Sequence, residues 1–142
     1  MKKRESYREA FEGFDPLAVS RFDARRRAAL MKNAGIVRNR LKIESAVTNA
    51  KALLKLRDEF GTFDRYVWGF VNGSPIVNRW EGLRSLPSST AESDALSKDL
   101  KKRGFRFVGS TILYAFMQAV GMVNDHAVSC FRYQELSRRR SR

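Results

Sequence analysis

The sequence predicts an all-α fold. Apolar residues recur at intervals of three and four along almost the whole chain, the period of a helix buried on one face. No segment alternates polar and apolar residues as a half-buried strand would. Glycines, prolines and capping residues fall between the periodic segments, where helices begin and end. The chain has 142 residues, 43% of them hydrophobic and 11% aromatic. That suits one domain with a substantial core and argues against disorder.

Each element follows from local chemistry. Tyr7, Phe11 and Phe14 fall at spacings of four and three and predict an amphipathic helix. Met1 lies directly inside this pattern, with no capping residue before it. Asp15–Pro16 reads as a cap followed by proline at the first helical position. Asp23 predicts the cap of a helix through Met31 and Lys32, closed by Gly35. Ile43, Val47, Ala50 and Leu54 mark a long helix ending near Gly61. Phe63, Val67 and Phe70 mark another, stopped by Asn72–Gly73 and Pro75. Residues 74–90 carry loop signals. Ser89 with Glu92 forms an S-x-x-E capping box that opens a helix through Leu96 and Leu100, ended by Gly104. Ile112, Phe116 and Ala119 mark the next helix, closed by Gly121, and a shorter helical piece holds His126 and Cys130. No internal repeat is visible. The domain is expected to span residues 1–134, followed by a basic, disordered tail over 135–142.

Charge narrows the partners. There are 28 Lys and Arg against 15 Asp and Glu, a net +13. Such an excess favours a polyanion, either nucleic acid or an acidic membrane surface. No run of eighteen apolar residues occurs, so no transmembrane helix is expected. The opening MKKRESYREAF lacks the apolar stretch of a signal peptide. A lone cysteine forms no internal disulfide, which fits a reducing cytoplasm.

Two stretches carry candidate chemistry. The only histidine, His126, and the only cysteine, Cys130, stand four apart. On a helix that spacing puts both side chains on one face, and both residue types are zinc ligands. A closed tetrahedral site needs four ligands, and the chain offers no other His or Cys. The second stretch, KKRGFRFVGST over 101–111, joins two predicted helices by a turn bracketed by Gly104 and Gly109. Glycine at both positions allows positive φ and close backbone approach. Ser110 and Thr111 open the following helix, whose N-terminal amides suit an anion. Lys101, Lys102, Arg103 and Arg106 surround it with positive charge. These features describe a helix-hairpin-helix that grips a DNA phosphate without reading sequence. A glycine C-cap followed by an ordinary loop with solvated lysines has the same spacing.

The residues carry a further pattern. The stretch SDALSKDLKKRGFRFVGSTILYAFMQAVGMVNDHAVSC (93–130) closely resembles the C-terminal half of the DNA-3-methyladenine glycosylase I family. So do AGIVRNRLKI (34–43), KKRESYR (2–8) and Phe14–Asp15–Pro16, so that the resemblance runs from Lys2 to about Tyr133. It implies a helix-hairpin-helix DNA glycosylase-like helical domain. It implies base excision repair: hydrolysis of the N-glycosidic bond of 3-methyladenine in alkylated double-stranded DNA. It also implies a structural zinc held by two Cys and two His. His126 and Cys130 match the C-terminal pair of those ligands. Lys101, Lys102, Arg103, Gly104, Phe105, Arg106, Gly109, Ser110 and Thr111 match the DNA-anchoring hairpin. The other zinc ligands, the base-contacting glutamate, most of the aromatic pocket and the duplex-wedging loop belong, in the family, before the point where this sequence starts. The expectation is therefore a front-truncated member with impaired activity and marginal solubility, open at its zinc site. We expect a monomer with no membrane partner.

Chemistry sets what the rest must supply. A methylated base must be flipped out of the duplex before its glycosidic bond is reached. Methylation at N3 makes the purine cationic, so the leaving group is already activated. A carboxylate that recognises the base, stacking aromatics and a positioned water then suffice. Tyr66, Trp68, Tyr114 and Phe116 are available as walls, but each sits in a helical apolar pattern that reads more readily as core. Asp125 either orients His126 or caps the short helix, and no carboxylate is named as catalytic. Gly35 reads as a helix cap and Arg40 and Lys42 as a solvated face, with Arg38 left open. The alternatives to a glycosylase are a non-catalytic helix-hairpin-helix DNA-binding module and a helical interaction protein whose charge only solubilises.

Overall fold

In the computed structural model, residues 3–138 are described. Among them are eight α-helices and a parallel ladder of two residues per strand. The all-α expectation holds. No helix among the described residues is long and apolar enough to cross a membrane. The chain divides into two compact units, Met1–Phe63 with Lys101–Phe107 and Asp64–Leu100 with Val108–Arg142.

The first unit holds α1 (Arg4–Ala10), α2 (Pro16–Ser20), α3 (Ala24–Lys32) and α4 (Arg40–Phe60). The predicted helix through Phe14 stops early. Glu12, Gly13 and Phe14 take φ values of 52°, 67° and 62°, a left-handed turn that no α-helix crosses. The aromatic stripe survives as a stack, with ring centroids 6.0 Å apart for Tyr7 and Phe11 and 5.4 Å for Phe11 and Phe14. Asp15 caps α2 by accepting from the Leu17 amide at 2.7 Å, and Asp23 caps α3 by accepting from the Arg26 amide at 2.7 Å. Helix α3 ends at Asn33, not at Gly35. Gly35 instead marks a close approach to α1: a Cβ there would stand 3.1 Å from the Ser6 Cβ, so a neighbour would have to give by a few tenths of an ångström. Helix α4 is capped by Asn39 and ended by Gly61 at φ 80°. Helices α2 and α3 pack onto it. Phe11, Val19, Phe22, Leu30, Ile36, Ile43, Val47 and Ala50 form the core of this unit.

The second unit holds α5 (Phe63–Trp68) from Asp64 on, most of α6 (Ala91–Lys102), α7 (Ser110–Ala119) and α8 (Phe131–Arg138). The α5 segment tightens into a 3-10 turn and stops at left-handed Asn72, as the Asn–Gly pair predicts. The loop then contains a strand that the sequence does not announce. β1 (Ile76–Val77) pairs in parallel with β2 (Val123–Asn124), with Ile76 opposite Val123 and Val77 opposite Asn124. Two residues are too few for an alternation to show. The cap of α6 lies one residue later than Ser89: the Thr90 amide donates to Ser93 Oγ at 2.9 Å, and Thr90 Oγ1 accepts from the Ser93 amide at 3.4 Å. The buried face of α7 is also displaced. Leu113, Tyr114 and Met117 are buried, while Ile112 is 57% exposed. Gly121, at φ 80°, closes that helix as expected.

Helix α8 runs to Arg138, four residues into the segment read as a tail. An Arg132–Glu135 ion pair at 3.0 Å and a Ser137 hydroxyl donating to the Tyr133 carbonyl at 2.6 Å support it. The remaining tail and the first two residues, Met1 and Lys2, lie outside the described residues.

Candidate functional site

The hairpin segment begins with α6, whose last turn carries Lys101 and Lys102, both exposed. Gly104 breaks the helix at φ 88°, its amide reaching back to the Lys101 carbonyl at 3.0 Å. A side chain there would be strained. In the first unit, residues 101–107 are clamped onto α4. The Asn49 amide group accepts from the Arg106 backbone N–H at 2.8 Å and donates to its carbonyl at 3.0 Å. Arg103 donates to both oxygens of Glu59, at 2.5 and 3.2 Å, and lies over the Phe60 ring at 4.8 Å. Phe105 lines an apolar recess of about 340 Å³ with Phe14, Val19, Leu53 and Phe63. These contacts hold the backbone in place and leave the Arg106 side chain exposed.

In the second unit, the Ser97 hydroxyl donates to the Val108 carbonyl at 2.7 Å. Gly109 stands before α7 with extended backbone, φ −66° and ψ 154°, and no side chain caps the helix. The positive φ expected at Gly109 falls instead on Phe107, at 57°. A bulky residue in that region is a true outlier, and such strain concentrates at binding sites. Phe107 is half exposed. Nothing stands within 4 Å of where a Gly109 Cβ would be, so the space over this backbone is open. The first amides of α7, at Ser110 and Thr111, carry the positive end of the helix dipole.

His126 and Cys130 are not on a helix. The parallel pairing continues through a Trp80–Ala127 bridge and keeps the chain extended to Ala127. A turn follows, in which the Cys130 amide donates to the Ala127 carbonyl at 2.8 Å, and α8 starts only at Phe131. The turn still brings the two side chains together, with His126 Nδ1 3.7 Å from Cys130 Sγ. Zinc bonds of roughly 2.0 Å to nitrogen and 2.3 Å to sulfur at a tetrahedral angle place such atoms about 3.5 Å apart. The pair therefore fits two corners of a zinc site. Among the described residues, no group of three or more His, Cys, Asp and Glu gathers to complete it.

Asp125 neither caps a helix nor orients His126. Its carboxylate is buried and accepts four hydrogen bonds. Asn78 Nδ2 and Trp80 Nε1 each donate to Oδ1 at 2.7 Å. The Tyr114 hydroxyl donates to Oδ2, and Gln118 Nε2 donates to the same oxygen at 2.8 Å. Burial pushes the carboxyl up, but these bonds, Tyr114's first, outweigh it and hold the group below its ordinary value. Burial, and then the bond to Asp125, push the Tyr114 phenol well above its own. The cluster ties the chain just after β1 to the chain just after β2 and to α7, and so fixes the segment that carries His126.

Comparison with known proteins decides the family. Residues 1–133 match the family described as methyladenine glycosylase. The chain belongs to the methyladenine glycosylase family. The DNA-3-methyladenine glycosylase of Haemophilus influenzae is 51% identical to this family member over 130 residues, 92% of this chain and 70% of the relative. A crystal structure of 3-methyladenine DNA glycosylase I superposes with a TM-score of 0.88 at 47% identity, covering 92% of this chain and 71% of the other. A Staphylococcus aureus glycosylase I, solved to explain its recognition of 3-methyladenine, also gives 0.88, at 35% identity, with 92% and 69% covered.

Of the offered wall residues in this glycosylase-family chain, Tyr66 and Tyr114 are buried and Trp68 and Phe116 half-buried, and two have other roles. Tyr66 donates to Asp99 Oδ2 at 2.7 Å, and Tyr114 donates to Asp125. Asn49, Asn78, Trp80 and Gln118 escaped sequence reasoning. An asparagine at half-buried position 49, in the apolar run of α4, was a readable signal. The others sit in an irregular loop or on a helix flank and leave none.

Proposed function

We propose that this chain acts on alkylated double-stranded DNA as a 3-methyladenine glycosylase of base excision repair, working as a monomer in the cytoplasm. Water adds at the sugar carbon and gives up a proton to solvent, the carbon–nitrogen bond breaks, and its electron pair neutralises the cationic purine as it leaves. The observation that carries this reading is the match of residues 1–133 to the methyladenine glycosylase family. The hairpin supports it, with a backbone held by Asn49 and Ser97 and a charged edge. In the first unit, Lys101, Lys102 and Arg106 supply charge, and Arg103 and Phe105 position the turn at Gly104; in the second, Gly109, Ser110 and Thr111 present backbone to a phosphate.

Turnover by the 142-residue chain is low. Asp125 is the one buried acidic residue among those described, and its oxygens are already engaged by four donors. A carboxylate so occupied is not available to recognise a flipped base. This favours, as a second reading, a helix-hairpin-helix module that binds DNA without chemistry. The test is release of 3-methyladenine from methylated duplex, measured beside duplex binding. Steeply salt-dependent binding with slow release is expected. Binding with no release at all selects the module, and no binding at low salt overturns both.

His126 and Cys130 hold one edge of a structural zinc, which would brace the turn between β2 and α8. With one His and one Cys in the sequence, this chain holds the ion weakly. Metal analysis after dialysis should find well under one zinc per chain, and tightly held one-to-one zinc contradicts this.

A further inference from the structure

A second charged surface lies in the first unit. Arg27, Glu44, Lys51, Lys55, Arg103 and Gly104 line a groove of about 430 Å³ beside the hairpin residues 101–107. Lys51 and Lys55 are one helical turn apart on α4, about 6 Å along its axis. Both are exposed, and neither has a carboxylate partner within 4.0 Å among the described residues. Of the nearby acids on α4, Glu44 pairs with Arg40 at 2.8 Å and Glu59 with Arg103, and among the described residues no ion pair joins the exposed Asp58 to either lysine. The two lysines also lie between Asn49 and Glu59, the residues of α4 that hold the hairpin. Two unpaired cations in an open groove, against a fixed turn already marked for a polyanion, are an arrangement that self-repulsion opposes and a bound anion relieves.

We propose that this groove takes a second backbone phosphate of the duplex, with Lys51 and Lys55 as its contacts. The proposal rests on the DNA-binding reading above. The contact is sequence-independent, because a lysine ammonium meets phosphate as a point charge and reads no base edge. It adds a footprint on α4 to the one on the hairpin, so the strand is held along a line instead of at one turn.

Salt dependence counts phosphate contacts. For each contact removed, the slope of log K against log salt becomes shallower by about 0.9. Duplex binding by the full chain is measured from 50 to 200 mM salt for wild type, K51Q/K55Q and K51R/K55R. Because the two lysines share one phosphate, the glutamine pair should lose about 0.9 from the slope, which narrows the affinity change over that range by about 3.5-fold. The arginine pair should keep the wild-type slope. Loss of two charges at Arg21 and Lys32, exposed residues that do not line the groove, serves as the control and should change it little. An unchanged slope in K51Q/K55Q with duplex binding intact overturns the second contact and leaves the hairpin reading standing. An equal change in the control overturns it too, since the effect would then be general charge. Absence of duplex binding by the wild type removes both.

Discussion

Asp125 shows how much one residue governs in the second unit. Its four donors come from β1's end, the loop after it and two turns of α7. Asp125→Ala leaves all four without an acceptor in a buried place. We expect a loss of about 3–5 kcal/mol, by analogy with removing one partner of a buried charged pair. Asp125→Asn keeps one oxygen and should lose about half of that. Urea melts of the three proteins measure it, and a change under about 0.5 kcal/mol in the alanine variant contradicts the role. The sequence could not disclose this. Asp125 stands next to the lone histidine, and adjacency suggested a partnership that the fold denies, because the carboxylate is engaged by Asn78, Trp80, Tyr114 and Gln118 instead.

At the scale of elements, the helices follow the chemistry of their ends closely. Asp15, Asp23 and Gly61 stand where caps were expected, since each acts through its own side chain or φ and needs no tertiary partner. The α6 cap slipped by one residue because Ser89 and Thr90 are both good caps, and only the fold selects between them. Thr90→Ala should destabilise the chain by about 1 kcal/mol, and Ser89→Ala by less than about 0.5. A thermal melt that ranks them the other way overturns the assignment. The α7 face slipped for a related reason. Ile112, Phe116 and Ala119 are as periodic as Leu113 and Met117, and a helix this apolar does not say which stripe is inward. The β1–β2 ladder was illegible because its hydrogen bonds are made by backbone, which every sequence provides.

At the scale of the molecule, fold class, family and hairpin were legible, and the grouping of side chains in space was not. The net charge of +13 pointed to a polyanion without saying where it binds. The location came from α4, where Asn49 and Glu59 fasten the turn and Lys51 and Lys55 are left open between them. Sequence counts Lys51 and Lys55 as two of 28 cations, and only the structure separates them from Arg40, Arg103 and Arg132, which have acidic partners.

The ladder of β1 and β2 bears on the order of assembly. The helices of this protein can form from neighbours in sequence, within microseconds. The bond from Asn78 to Asp125 joins residues 47 positions apart. Closing so long a loop must precede any reward from the contacts it makes, and parallel pairing of this kind is slow. The segment carrying His126 is therefore set late, after the helices on either side exist. The turn from Ala127 to Cys130 is local and can draw the side chains of His126 and Cys130 together early, but the seam that fastens this segment to the rest of its unit shuts last.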